Sequence, residues 1–163
     1  MALMEMKGKR VEESRGVMAQ LMNPYDANSI GNVHGGVIMR MIDSAAGVVA
    51  IRHCRTNVVT ASIDRLDLLR PVFIGDLVTL RASINMAGTT SMEIGVRVDA
   101  ENLRTGEVRK VATAYLTFVA LGQDGRPTPV PPLILETGED IRRNNEAKAR
   151  RQARLPFKSK SKP

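Results

Sequence analysis

Two periodicities divide the chain. From Val37 to His53 (VIMRMIDSAAGVVAIRH) apolar residues recur on nearly every side, which predicts a buried helix without a polar face. Its small residues Ala45, Ala46 and Gly47 would let another backbone lie close, at some propensity cost for Gly47. Beyond the helix the period switches to two. In Leu77–Met86 and in Ser91–Ala100 apolar and polar residues alternate, as in strands with one covered face. The short link AGTT (87–90) suits a hairpin between them. Val58–Leu68 reads as a further strand, which Arg70-Pro71 ends. NLRTGE (102–107) is a second turn, leading into VRKVATAYLTFVAL (108–121), which is apolar on both faces and so interior. GQDGRP (122–127) closes the meander. Ahead of the helix, residues 10–21 could form an opening strand. LMNPYDANSIGNVHGG (21–36), dense in Asn, Asp, Pro and Gly, is a loop of several turns.

The order is loop, one buried helix, then four strands on short turns. No second helix is available before residue 138, so the simplest packing wraps an antiparallel sheet around the single helix, an α+β architecture. Residues 139–154 (EDIRRNNEAKARRQAR) are helix-prone but show no apolar stripe. They predict a solvated helix or a disordered tail, with SKSKP frayed at its end. The expected division is one domain over 1–137 and a basic C-terminal tail over 138–163. There is no internal repeat.

Composition sharpens this picture at three points. The 163 residues are 43% hydrophobic and 25% charged, the make-up of a globular chain and not of a disordered one. The net charge of +7 is a property of the tail, where residues 138–163 hold nine Lys/Arg and three Asp/Glu, against fifteen and fourteen in the rest. With five aromatics and no Trp, nothing in the body suggests stacking on nucleic-acid bases. One Cys excludes a disulfide framework, and two His leave little for a metal site, so no metal and no cofactor are expected. The start MALMEMKGKR has no long apolar run after its charges, and Gly36–Ile51 carries Arg40 and Asp43 and is too short to span a bilayer. A cytoplasmic protein without membrane insertion is the expectation.

The stretch from Asn28 to Asp43 is where chemistry concentrates. An uncharged polar loop delivers His34-Gly35-Gly36 to the first turn of an apolar helix. Free backbone N–H groups at a helix start, with no side chain in the way, suit an oxyanion. Asp43 sits inside the apolar helix, where a carboxylate costs free energy unless it has a role or a partner. Arg40, three residues earlier, could be that partner. His53 and Cys54 at the helix end read as structural, His53 as a partner of the helix dipole and Cys54 as a small buried side chain. Met39 and Met41 are either core or the lining of an apolar tunnel.

The run N-x-x-G-x-x-H-G-G-(x)7-D, here Asn28, Gly31, His34, Gly35, Gly36 and Asp43, resembles the hotdog-fold acyl-CoA thioesterases. DANSIGNVHGGVIMRMIDSAAGVVAIRHC is similar above all to the brain-type cytosolic acyl-CoA hydrolases, which carry two hotdog domains in one chain. TNVVTASIDRLDLLRPVFIGD and TTSMEIGVRVDAENLRTGE extend the resemblance over roughly residues 15–137. It implies the hotdog fold, an antiparallel sheet wrapped around one long central helix. It also implies hydrolysis of fatty acyl-CoA to fatty acid and coenzyme A, with catalysis by Asp43 and Asn28; Asn32 is the rival of Asn28, and the family spacing favours Asn28. One domain stands here in place of two, so a homodimer, and by resemblance a trimer of dimers, is expected.

On this reading Asp43 is general base or nucleophile, Asn28 orients water or carbonyl, and the N–H of Gly35 or Gly36 holds the oxyanion. His34, at the helix entrance, positions more readily than it transfers protons. Coenzyme A carries a diphosphate and a 3′-phosphate, and its expected donors are Thr60, Arg70, Thr89, Thr90 and Ser91, with Gly88 permitting close backbone approach. Nine residues separate His34 from Asp43, about 13 Å along a helix axis, so one thioester could hardly touch both motif ends within one chain. The site is therefore expected to be shared between subunits. The alternative is a non-catalytic acyl-CoA sensor on the same fold.

Overall fold

A computed structural model of the chain describes residues 6–159, with side chains through Leu155. The first strand, β1 (Lys9–Arg10), leads through a 3-10 turn into β2 (Gly16–Leu21). A second 3-10 turn (Pro24–Asp26) and the loop precede α1 (Gly35–Cys54). Then come β3 (Asn57–Leu68), β4 (Asp76–Ala87), β5 (Ser91–Asn102), β6 (Val108–Leu121), β7 (Leu133–Ile134) and α2 (Gly138–Ser159). The five long strands form one antiparallel sheet in the order β2-β4-β5-β6-β3. β1 and β7 make a separate parallel pair. The helix and the four-strand meander stand where the periodicity places them, and β6 is interior; of the opening strand expected over residues 10–21 only Gly16–Leu21 forms one long strand, after the 3-10 turn Val11–Glu13.

α1 lies in the concave side of the sheet. Ile38, Met41, Ile42, Ala45, Ala46, Val49 and Ala50 recur at helical spacing and are all buried. They meet Leu80, Ala82, Ile84, Ile94, Val96, Val98, Ala112, Ala114 and Leu116, the alternate residues of β4 to β6. The helix does not have core on every side, as its composition suggests. Met39, Asp43, Val48 and Ile51 are exposed along it, and Ile63 of the edge strand β3 is exposed on the same side of the sheet. A helix apolar all round, sitting on the surface of its own domain, has a face left to be covered.

The convex face of the sheet brings a correction. Residues 138–159 are a helix, and its inner stripe packs on the sheet instead of standing in solvent. Asp140, Arg143, Asn144, Ala147, Arg150, Arg151 and Arg154 follow one another at helical spacing and are buried or half-buried. The stripe is present, but it is polar. Arg150 donates to both oxygens of the buried Glu93, at 2.6 and 3.0 Å, and lies 3.7 Å over the Tyr115 ring. Asn144 donates to the carbonyl of Asn85, and Arg143 to Ser83. Arg154 reaches Asp64 at 2.6 Å and Thr117 at 2.7 Å. Bulges in β3 and β4 supply part of this matching, because the pairing skips Asp64 and Asn85 and frees both to turn toward α2. A search for apolar periodicity misses a helix docked by paired charges. Of SKSKP, the residues past Ser159 lie outside the described residues. Among those described, no helix is long and apolar enough to cross a membrane.

Candidate active site

The loop before α1 is held by its own backbone. Asn28 N–H donates to the carbonyl of Asn32 at 2.7 Å, and Gly31 N–H to that of Asn28. The Asn28 side-chain oxygen accepts from Ile30 N–H at 3.0 Å and Asn32 N–H at 3.1 Å. This is an Asx turn, which engages the amide oxygen and leaves the Asn28 NH2 as the group able to act on a ligand. Gly31 closes the turn at φ +88°, where a side chain would be strained. His34 N–H donates to the Asp26 carbonyl and Val33 N–H to that of Val72, which ties the loop to the link between β3 and β4.

His34 is the N-cap of α1. Its Nδ1 accepts Gly36 N–H at 2.8 Å, and Val37 N–H donates to the His34 carbonyl at 2.9 Å. The histidine therefore does what Ser or Asp does at most helix starts. A Cβ on Gly36 would stand 3.0 Å from His34 Nδ1, so a side chain there would push on the capping ring. The cap also removes Gly36 from the expected pair of oxyanion donors, since its N–H is taken. Gly35 N–H has no hydrogen-bond partner among the described residues. It opens on a cavity of about 240 Å³ lined by Asn28, Asn32, Gly35, Ile38, Leu68 and Arg70.

Asp43 is not in this cavity. It is exposed two turns further along α1, and Thr60 Oγ1 of β3 donates to its Oδ1 at 2.6 Å. That contact takes the place of the ion pair with Arg40, and it gives Thr60 a carboxylate to hold. Thr60 pairs with Phe118, which pairs with Met92, whereas Leu68 pairs with Ala112 at the other end of the sheet. The turn Gly88–Ser91 lies at the Thr60 end. Its Gly88 N–H donates to Ser91, its Thr89 and Thr90 carbonyls accept from Val130 and Ala120, and the Arg151 guanidinium of α2 lies against Gly88. The chain thus brings Asn28, Gly35 and Arg70 together at one end. It brings Asp43 and Thr60 together nearer the other, with Gly88, Thr89, Thr90 and Ser91 at that end. Arg151 at the turn carried no signal in the sequence, because it belongs to a helix without an apolar period.

Neither residue at the end of α1 joins these groups. Cys54 is a buried free thiol, donating to Ala50. His53 is fully buried, with Nε2 2.8 Å from the carbonyl of Pro131. Burial holds its pKa below the ordinary histidine value, against the raising effect of that hydrogen bond. It favours the neutral ring and is not the charged dipole partner expected; Lys9 fills that place, donating to the Arg52 and His53 carbonyls. Met41 is core, and Met39 is exposed.

The model of the thioesterase superfamily matches residues 30–107. The uncharacterised acyl-CoA thioester hydrolase YkhA of Bacillus subtilis is 43% identical over 143 residues, 88% of this chain and 83% of its own length. The chain belongs to the hotdog-fold acyl-CoA thioesterases. The rat cytosolic acyl coenzyme A thioester hydrolase is 39% identical over 142 residues, 86% of this thioesterase chain but 37% of its own length. Among solved structures, an apo-hexameric acyl-CoA thioesterase superimposes with a TM-score of 0.89 at 37% identity, covering 93% of this chain and 97% of that one. The Staphylococcus aureus acyl-CoA hydrolase, in complex with butyryl coenzyme A and coenzyme A, gives 0.86 at 33% identity, covering 94% and 93%. Variants of that enzyme with one Asn, one Asp or one Thr replaced by Ala have also been solved.

Proposed function

We propose that this thioesterase hydrolyses fatty acyl-CoA at a site made by two chains. Asn28 and Gly35 of one subunit hold the thioester carbonyl, and Asp43 of its partner attacks it or activates the water that does. The observation that carries the reading is the division of hydrogen-bonding capacity. At the loop end the Asn28 side-chain oxygen and the Gly36 N–H are engaged, while the Asn28 NH2 and the Gly35 N–H have no partner among the described residues. At the Asp43 station a carboxylate is held in place by Thr60 and exposed to whatever covers α1. Donors alone stabilise an oxyanion and a carboxylate alone supplies a base; thioester hydrolysis needs both on one carbonyl. Along α1 the two lie eight residues, or about 12 Å, apart.

With water as nucleophile, Asp43 takes its proton as oxygen bonds to the thioester carbon. The negative oxygen settles on Gly35 N–H and the Asn28 amide, and a preorganised donor of that kind contributes about 2.7–4 kcal/mol. Collapse breaks the carbon–sulfur bond, and the proton on Asp43 returns to the leaving thiolate. Arg70 at the cavity mouth is a donor for the phosphates of coenzyme A, and the Gly88–Ser91 turn contributes from the Asp43 side. The exposed apolar side chains Met39, Val48 and Ile51 of α1 and Ile63 of β3, on the same side of the sheet as Asp43, support pairing of two chains there. Hexameric relatives, including a hotdog-fold thioesterase of Campylobacter jejuni, support a trimer of such dimers. Incubation with acetyl-, hexanoyl- and palmitoyl-CoA and a thiol reagent tests the reading. Release of free thiol at a rate that saturates with substrate is expected, while binding without release would make the protein an acyl-CoA sensor instead.

A further inference from the structure

The edge strand β3 breaks its own alternation twice, and both breaks are held from the far side of the sheet. Thr60 pairs with Phe118 and Ser62 with Thr117, so the ladder skips Ala61. Ile63 pairs with Leu116 and Arg65 with Tyr115, so it skips Asp64 as well. Residues opposite one another share a face of the sheet. Phe118 and Leu116 belong to the core beneath α1, whereas Thr117 meets α2 on the outside. Thr60 therefore points inward to Asp43, and Ser62, two residues on, points outward. In an unbroken strand those two side chains would lie on the same face.

The first bulge is what turns Thr60 toward α1. With Ile63 kept opposite Leu116 and no residue skipped, Ala61 would stand opposite Phe118 and Thr60 opposite Val119. That one-residue slip carries the Thr60 hydroxyl to the outer face, away from Asp43. A bulge leaves ladder groups unpaired and bends the strand, so its geometry needs holding. Among the described residues, one side chain does so from outside. Arg154 of α2 donates to Ser62 at 3.2 Å, to Asp64 at 2.6 Å and to Thr117 at 2.7 Å. It thus joins the residue after the first bulge, the residue skipped at the second, and the β6 residue between them. The Arg154 and Asp64 side chains are only 20% and 12% exposed, so solvent and salt screen the pair less than a surface one.

We propose that Arg154 is a positioning residue for the thioester hydrolysis. By clamping the outer side of the β3 bulge it keeps Thr60 aimed at Asp43 on the inner side. The inference rests on the reading that Asp43 acts on the thioester. Other residues of the same helix hold it to other strands: Asn144 binds β4 and Arg150 binds Glu93 of β5. Docking of α2 and control of β3 are therefore carried by different side chains.

Steady-state kinetics on the full-length protein test this. Arg154→Gln should lower kcat about fivefold with KM changed less than about twofold. Arg154→Lys, which returns a charge to Asp64, should regain most of the rate. Thr60→Val combined with Arg154→Gln should be no slower than Thr60→Val alone, because one residue acts through the other; independent losses would multiply. Arg142→Gln, whose guanidinium pairs with Glu139 and Glu146 of its own helix, should keep the wild-type kcat. If Arg154→Gln fails to fold, Asp64→Asn removes the same ion pair from the strand side and should show the same loss. A readout independent of turnover is the NMR resonance of the Thr60 methyl group, which should move in Arg154→Gln and stay in Arg142→Gln. Wild-type kcat in Arg154→Gln, multiplied losses in the double variant, or an unmoved Thr60 resonance would overturn the proposal. Full kcat in Thr60→Val would overturn it too, through the catalytic reading beneath it, and is told apart because the Thr60 resonance would still move.

Discussion

The two halves of the candidate site are built from one helix by opposite means. At its N-terminus the chain spends polar groups on itself. Asn28 gives its oxygen to a turn and Gly36 gives its N–H to His34, which leaves the Asn28 NH2 and Gly35 N–H for a ligand at a small cavity that Arg70 also lines. In the middle of the helix Asp43 stays exposed with one short hydrogen bond from Thr60, on a side of the domain where Met39, Ile51 and Ile63 are left exposed by the described residues. The first half is finished and the second is open. On the proposed reading, the difference teaches that a single chain holds both ingredients of the chemistry without holding a site.

The largest expected effect falls on the open half. Asp43→Ala removes the base or nucleophile from an exposed position, so turnover should fall about a hundredfold or more while thermal unfolding hardly moves. A variant keeping above about a tenth of wild-type kcat, a loss under 1.4 kcal/mol, would remove Asp43 from the reaction. Next comes the finished half. Asn28→Asp preserves the oxygen that closes the turn but replaces the NH2 donors with a second oxygen. It should lower kcat about a hundredfold with a smaller change in KM, and an unchanged kcat would transfer the role to Asn32. Thr60→Val deletes the hydroxyl that holds Asp43 and should cost about tenfold in kcat, less than loss of the carboxylate itself. A Thr60→Ser variant that recovers the rate would show that the hydroxyl, and not packing, is what matters.

Much of this was legible from the chain because it rests on apolar periodicity and on one spaced motif. The core face of α1 and the alternation in β4 and β5 follow from burial alone, and burial writes itself into the order of residues. The assignments of Asn28, Gly35 and Asp43 came from spacing and family likeness together. Three features were not legible. That Gly36 N–H is consumed depends on the rotamer of His34. That Thr60 meets Asp43 depends on the register between β3 and α1. That α2 docks at all depends on Arg150 finding Glu93 and Arg154 finding Asp64, pairs more than fifty residues apart in the chain. Ionic docking has no period, so a polar stripe in a sequence looks the same whether it meets water or a matching surface.

The smallest effect concerns a group remote from both halves. His53 is buried near neutrality of charge, with a pKa in the fold below its unfolded value near 6.5. The folded state therefore binds fewer protons, and the stability this contributes is present above pH 6.5 and lost as pH falls from there through the folded pKa. Unfolding free energy should drop toward acid with a slope from this residue of at most about 1.4 kcal/mol per pH unit. The slope should flatten in His53→Gln. Parallel profiles for the two proteins would show that His53 does not titrate differently on folding.

The division of the site between subunits is tested most directly by complementation. Asp43→Ala and Asn28→Asp are each expected to be inactive alone, since every composite site in either homodimer lacks one partner. Unfolding the two together and reassembling them should give heterodimers in about half the dimers, each with one site carrying both defects and one carrying neither. With mass spectrometry confirming exchange, the account predicts the return of about a quarter of wild-type activity. No return of activity in a confirmed mixture of heterodimers would place Asn28 and Asp43 in the same chain's site and contradict the account.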